Sequence, residues 1–134
     1  MALRWKTVEP RVGRVVAIAP YAELSNVVLN ICHEYAGCLP RTWVKAGLKH
    51  LPSLLMVEPG QLDTTQVLAR GPVIALFAAG TEDRITPLTD VRKLHQGAAP
   101  GSELVVVPGA THEAVTYFFE ELLPPVLSWL KTQN

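Results

Sequence analysis

The chain has 134 residues, about the size of one domain, of which 49% are hydrophobic and 18% are charged. This composition supports a buried core and excludes a disordered chain. Because 12 basic residues balance 12 acidic ones, no strongly basic surface is expected, and nucleic-acid binding is excluded as a leading function.

The N-terminus and the cysteines indicate where the protein resides. No apolar run approaches the roughly 18 to 20 residues that a membrane helix needs, and MALRWKTVEP lacks the apolar segment of a secretory signal. We therefore expect a cytoplasmic protein without membrane association. The spacing of Cys32 and Cys38 matches no common zinc or redox motif, so both are expected to be buried, reduced thiols.

Three continuously apolar stretches predict the strands of a parallel sheet that is covered on both faces. They lie at about residues 14–19, 72–79 and 103–107, and proline or glycine follows each one. Flanking helices then complete an α/β fold, which we treat as one domain over residues 1–134.

The segment between the first two strands predicts helices. An apolar stripe predicts a helix from about residue 23 to residue 36, and an excursion over about residues 37–62 follows it. One or two short helices are expected in this excursion. A long excursion of this kind can form a lid over a site, or it can simply cover the sheet, and both interpretations stay open.

Two more helices are predicted along the chain. Between the second and third strands, Thr86 is the expected N-cap and Pro87 the first helical residue, which completes a right-handed βαβ unit. Near the C-terminus, Pro124 and Pro125 are expected to break or kink any helix. The expected buried side of the last helix consists of Val126, Leu127, Trp129 and Leu130.

Polar residues follow the second and third strands, where ligands bind in open α/β sheets. Asp83 follows the second strand and His112 follows the third. Because neighbouring parallel strands end at the same edge, we expect the two side chains to meet. The carboxylate can then accept the proton on one ring nitrogen of His112 and leave the other nitrogen to act as a base.

At this point the sequence resembles a known family. The stretch PVIALFAAGTEDRITP, followed by SELVVVPGATHE, resembles the last third of an α/β-hydrolase. Gly80, Asp83 and Pro87 match the family pattern G-x-x-D-x-x-x-P, and Gly109 and His112 match G-x-x-H. The order of the acid and the histidine also agrees with the family order of serine, acid and histidine.

The resemblance implies an activity. The nearest group is that of the serine peptidases and esterases related to prolyl oligopeptidase and the serine aminopeptidases. Such an enzyme hydrolyses a small-molecule ester or a peptide through an acyl-enzyme, without metal or organic cofactor. His112 would be the general base and Asp83 would orient it. The substrate, and the choice between esterase and peptidase, stay open.

One part of the family pattern is missing. The nucleophile elbow, G-x-S-x-G, does not occur in the sequence, and neither Cys38 nor any of the four serines, Ser25, Ser53, Ser102 and Ser128, has an elbow context. The stretch MALRWKTVEPRV resembles the helix that leaves the elbow. The chain is therefore expected to be the C-terminal part of a hydrolase, with acid and base but no nucleophile, and inactive or very weak alone.

Other interpretations remain. The chain could be a non-catalytic remnant, or a subunit that assembles with a separate N-terminal half. The strand at residues 14–19 would then offer an open edge for that partner or for self-association. A small flavodoxin-like ligand-binding domain is a third possibility, although no phosphate-cradling turn supports it.

Each candidate residue also has a plain structural interpretation. His112 could simply pack or cap the last helical segment, and Asp83 could cap its own loop. Glu82 and Asp90 are rival acids. The remaining histidines are expected to be packed or exposed (His33) or exposed (His50 and His95), and no pair of histidines has metal-ligand spacing.

Overall fold

A parallel sheet forms the centre of the computed structural model, which describes residues 3, 9, 11–37, 39–58 and 62–131. Its strands are β1 (Val15–Ile18), β2 (Ala75–Gly80) and β3 (Glu103–Val107). β2 lies in the middle and pairs in parallel with both neighbours. The predicted α/β fold with three parallel strands is confirmed, although β1 and β2 begin later than predicted.

Helices fill the segments between and after the strands. They are α1 (Leu24–Tyr35), α2 (Arg41–Leu55), α3 (Thr64–Leu68), α4 (Leu88–Gly97) and α5 (Phe119–Lys131), with a 3₁₀ helix at Val115–Tyr117. None of the described helices combines the length and the apolar character that crossing a membrane requires. The predicted N-terminal helix falls mostly on residues outside the described ranges. Leu3, which lies within those ranges, is buried.

β2 is buried along its whole length because apolar groups cover both of its faces. Successive side chains of a strand point to opposite faces, and Phe77 packs with Leu94 of α4 in one core cluster. Ala78 packs with Val107 and with Leu122 of α5 in a second cluster. The continuous apolar run in the sequence therefore reflects a strand between two helical layers.

The start of α4 differs from the prediction. The helix begins at Leu88, with Pro87 in extended conformation at the N-cap position and no side chain capping the helix. Thr86 lies one residue further out and is almost completely buried. Its hydroxyl group donates a hydrogen bond to the carboxylate of Asp83, so it is not available to cap the helix.

In the excursion predicted over about residues 37–62, the described residues form one helix, α2, and α3 begins just beyond it. α2 packs against α1, and α3 returns the chain to the sheet. Asp63, just before α3, accepts a hydrogen bond from the backbone N–H of Leu24 at 2.9 Å through Oδ1. This contact ties the end of the excursion to the start of α1. Whether α2 acts as a lid stays a prediction.

The C-terminal helix differs from the prediction in two respects. α5 continues through Pro124 and Pro125 as a single helix, although each proline lacks the N–H of a helical hydrogen bond. Leu122 and Trp129 are buried on either side of the prolines, and their packing offsets the lost bonds. Leu127 and Leu130, which were expected in the core, are 45% and 39% exposed.

Candidate active site

Asp83 and His112 lie side by side at the edge of the sheet where the parallel strands end. His112 Nδ1 is 3.0 Å from Asp83 Oδ2. Asp83 follows β2 and His112 follows β3, and these two strands are paired neighbours. The juxtaposition predicted from the sequence is therefore confirmed, while the catalytic roles of the two residues stay a prediction.

The carboxylate of Asp83 is held from several sides. Oδ1 accepts hydrogen bonds from the backbone N–H groups of Ile85, at 2.9 Å, and Thr86, at 2.7 Å. Oδ2 accepts one from the hydroxyl of Thr86 at 2.7 Å. The side chain is completely shielded from solvent. Asp83 thus caps its own loop and contacts His112 at the same time, so the two interpretations of this residue are compatible.

The imidazole of His112 has one occupied and one open nitrogen. Nδ1 contacts Asp83 and also lies 3.1 Å from the hydroxyl oxygen of Thr86. Among the residues that the structure describes, none forms a hydrogen bond with Nε2. The side chain is 34% exposed, and it lines a pocket of about 580 Å³. This arrangement suits proton transfer to a group bound in the pocket.

Close contact between two turns brings the acid and the histidine together. A Cβ atom on Gly80 would stand 2.0 Å from the carbonyl oxygen of Ala110, so only glycine fits at the end of β2. That same carbonyl accepts the N–H of Glu82 at 3.1 Å. Gly109 has a φ of +72°, and its N–H donates to the hydroxyl of Thr81 at 2.8 Å.

The end of α1 forms one wall of the pocket. Glu34 lies 3.7 Å from the guanidinium of Arg84, and the hydroxyl of Tyr35 donates a hydrogen bond to the carboxylate of Glu113, next to His112. This bond lowers the pKa of Glu113 below its ordinary value and raises the pKa of Tyr35, because it favours the ionised acid and the protonated phenol.

The rival acids occupy other positions. Glu82 is exposed at the rim of the pocket, and Asp90 lies on α4, where its carboxylate is 3.6 Å from the ammonium group of Lys93. Neither is hydrogen-bonded to His112. Of the carboxylates that the structure describes, Asp83 is therefore the one that contacts the ring.

The other histidines lie away from this pair. His33 and His50 are exposed on α1 and α2. The expectation that His95 is exposed was wrong: its ring packs edge-on against Phe77, and Nε2 lies 3.2 Å from the carbonyl oxygen of Ser102. A polar contact at the start of β3 explains its half-buried position.

The serines and cysteines supply no nucleophile to His112 in the described part of the chain. Ser102 precedes β3, at the opposite edge of the sheet, and its hydroxyl donates to the carbonyl of Ala99 at 2.7 Å. The remaining serines, Ser25, Ser53 and Ser128, are exposed on α1, α2 and α5. Cys32 is a free, half-buried thiol on α1, and Cys38 lies outside the described residues. Within those residues, no cluster of three or more histidine, cysteine or acidic side chains could hold a metal ion.

Sequence reasoning missed two features of the site. It treated Thr86 as a helix cap, and it gave no role to the pair formed by Tyr35 and Glu113. The signal for Thr86 was available, because a hydroxyl residue between Ile85 and Pro87 stands within hydrogen-bonding reach of a turn carboxylate. No sequence signal joined Tyr35 to Glu113, since the two residues are distant in the chain.

Several solved structures resemble this chain, among them two from Mycobacterium tuberculosis. "Crystal Structure of Putative non-heme bromoperoxidase BpoC from Mycobacterium tuberculosis H37Rv" matches with a TM-score of 0.62 and 14% identity, over 98% of this chain and 62% of that chain. "The Structure of Rv0554 from Mycobacterium tuberculosis" matches with a TM-score of 0.63 and 15% identity, over 98% and 61%.

The chain thus spans less than two thirds of the length of either neighbour. No protein-family model and no curated protein matches the sequence. At these low identities the likeness concerns the fold, and both neighbours are α/β-hydrolase-fold proteins. The chain therefore has the α/β-hydrolase fold over the part of that fold that it spans.

Proposed function

We propose that this chain supplies the acid–base pair of a serine hydrolase that cleaves an ester or amide substrate through an acyl-enzyme. One observation carries the proposal: a fully shielded carboxylate, Asp83, lies 3.0 Å from Nδ1 of His112, whose side chain lines a pocket. The other ring nitrogen is left to exchange protons with groups in that pocket. The α/β-hydrolase fold supports the same proposal.

The proposed reaction proceeds in two proton-transfer stages. Nε2 of His112 takes the proton of an attacking hydroxyl group as that oxygen bonds to the substrate carbonyl carbon. The proton then passes to the leaving alcohol or amine as the carbonyl re-forms, which produces the acyl-enzyme. Water repeats the sequence and releases the acid. Throughout, the carboxylate of Asp83 stabilises the cationic form of His112 and holds its ring in place.

The attacking hydroxyl is proposed to come from a segment outside this sequence. In the described residues, no serine hydroxyl is hydrogen-bonded to His112, and Ser102 lies at the opposite edge of the sheet. The chain alone is therefore proposed to be inactive or very weak, because the members of a triad act as a unit. The substrate of the completed enzyme would be a small ester or a peptide.

A non-catalytic subunit is the second candidate, and the edge of the sheet favours it. Among the described strands, β1 pairs with β2 alone, so its other edge offers unpaired backbone groups. We propose that a strand of a separate N-terminal half, or a second copy of the chain, pairs along residues 14–19. Sedimentation over a range of concentrations tests this. Association that increases with concentration is expected, and a strictly monomeric chain at high concentration would count against it.

Hydrolysis of p-nitrophenyl esters by the isolated chain tests the proposal that it supplies the acid and the base but not the nucleophile. We expect no robust turnover by the wild-type chain, and a rate equal to that of the His112→Ala variant to within about tenfold. Robust turnover that disappears in His112→Ala would overturn the proposal that the nucleophile is absent. An in-frame G-x-S-x-G motif in the DNA just upstream of the Met1 codon would support the proposal that the nucleophile comes from outside this sequence.

A further inference from the structure

We propose that Thr86 is a positioning residue that fixes a proton on Nδ1 of His112 and so keeps Nε2 available as the base. This inference rests on the proposed role of His112 as a general base. Thr86 would act through Asp83 and His112 and would not touch the substrate. Nothing in the G-x-x-D-x-x-x-P pattern specifies this position, because residue 86 falls on one of its variable sites.

The argument begins with three mutual contacts. The hydroxyl oxygen of Thr86 lies 2.7 Å from Asp83 Oδ2 and 3.1 Å from His112 Nδ1, and Nδ1 lies 3.0 Å from Oδ2. Two oxygens and one nitrogen therefore form a closed triangle. Each side of the triangle needs a hydrogen bond, since facing lone pairs at these distances repel each other, and one proton can serve two sides when two acceptors share it.

Counting protons gives one arrangement that satisfies all three contacts. An ionised carboxylate only accepts hydrogen bonds, and a threonine hydroxyl has a single proton to donate. That proton belongs on the short contact to Asp83, so the hydroxyl oxygen faces Nδ1 with a lone pair. Nδ1 must then carry a proton, which Asp83 and Thr86 share. If Nδ1 were bare, its lone pair would face Oδ2 directly.

Burial makes this arrangement stiff. Thr86 is 1% exposed, and its backbone N–H is bonded to Asp83 Oδ1 at 2.7 Å, so the residue is anchored twice to the same carboxylate. A β-branched side chain also has few rotamers to choose from. The hydroxyl thus stays at a fixed distance from the ring, and it shields the proton on Nδ1 from solvent.

Nitrogen-15 NMR of the imidazole groups tests the proposal on this chain without any need for catalysis. We expect neutral His112 in the wild-type chain to carry its proton on Nδ1. In Thr86→Val, which keeps the shape and removes the hydroxyl, we expect the Nδ1 proton to exchange with water about fivefold faster, the effect of losing one hydrogen bond. Thr86→Ser, which restores the hydroxyl, should return exchange to the wild-type rate.

A matched control separates positioning from general stability. Ser102→Ala also removes a hydroxyl with several internal bonds, but at the far edge of the sheet, so it should lower stability without changing the exchange at His112. Equal exchange rates in wild type and Thr86→Val would overturn the proposal. If Thr86→Val fails to fold, the wild-type spectrum decides alone, because a proton on Nε2 of neutral His112 contradicts the proton count.

These results are independent of whether the chain takes part in hydrolysis. A wild-type proton on Nδ1 with fast exchange in Thr86→Val supports the positioning role even if no ester is ever cleaved. Conversely, a completed enzyme that depends on His112 but shows no response at Nδ1 to Thr86→Val would keep the proposed function and remove Thr86 from it.

Discussion

Gly80 meets the carbonyl group of Ala110 so closely that a Cβ atom at position 80 would stand 2.0 Å from its oxygen. This contact joins the turn that carries Asp83 to the turn that carries His112. The distance between the acid and the base therefore depends on a residue without a side chain, and the glycine of the G-x-x-D pattern has a steric explanation.

We predict that Gly80→Ala destabilises the protein by about 2 kcal/mol, because the added methyl group collides with backbone atoms that cannot move independently. Thermal or urea unfolding measures the change. Gly97→Ala is the matched control: its Cβ would meet nothing within 4 Å, and alanine is the better helix former. A Gly80→Ala variant as stable as Gly97→Ala would contradict the close contact.

Asp83→Asn is predicted to move the proton of neutral His112 from Nδ1 to Nε2. An amide that keeps its oxygen toward the N–H groups of Ile85 and Thr86 presents its NH₂ group to Nδ1, which must then accept a hydrogen bond. The unfolding free energy should fall by about 1 kcal/mol. Nitrogen-15 NMR reports the tautomer, and Asp90→Asn on α4 should leave it unchanged. An unaltered tautomer in Asp83→Asn would show that Asp83 does not orient the ring.

Asp63 is predicted to stabilise the start of α1 from outside that helix. Its carboxylate accepts the N–H of Leu24, whereas Glu23, the residue at the N-cap position, makes no side-chain capping bond. Asp63→Ala should therefore cost about 1 kcal/mol in urea unfolding, the usual effect of losing a cap. Glu23→Ala should cost much less, and the reverse order of the two variants would contradict the contact.

The link between Tyr35 and Glu113 predicts a pH-dependent contribution to stability. Glu113 has a pKa below 4.5 in the folded chain. Its contribution to the free energy of unfolding is therefore fully present above pH 4.5 and is lost as the pH falls through the lowered pKa. Tyr35 has a pKa above 10.0. Its contribution to the free energy of unfolding is therefore fully present below pH 10.0 and is lost as the pH rises through the raised pKa.

Thermal unfolding of wild type and Tyr35→Phe across this range tests the link. The variant should be slightly less stable at neutral pH, and the difference should shrink at both extremes, because the phenol and the carboxylate then no longer form the bond. The effect is small since both groups are exposed. Tyr117→Phe, also at an exposed position, should show no such profile. A difference that is constant with pH would rule out the hydrogen bond.

The fold could be predicted where hydrophobic periodicity determines it. The stretch that forms β2 is apolar at every position because helices pack on both sides of it. This continuous apolar run can be recognised from the sequence alone. The pairing of Asp83 with His112 could also be predicted, since parallel strands bring their carboxyl ends to one edge. In both cases the controlling feature is local in sequence or follows from topology.

Features that depend on tertiary packing were not predictable. The helix α5 runs through Pro124 and Pro125 because Leu122 and Trp129 are buried on either side of them, and no local propensity shows this. The contact of His95 with Phe77 similarly depends on how α4 lies against the sheet. Thr86 is different, because its partner Asp83 lies only three residues earlier in the chain and the bond between them is local.

The most direct test of the acid–base role of His112 compares ester turnover by two chains: this one, and the same chain extended at its N-terminus by a hydrolase segment that carries a G-x-S-x-G motif. We predict negligible turnover by the first chain, and turnover by the extended chain that disappears in His112→Ala. Turnover by the extended chain that survives His112→Ala, or robust turnover by the present chain that His112→Ala abolishes, would contradict this account.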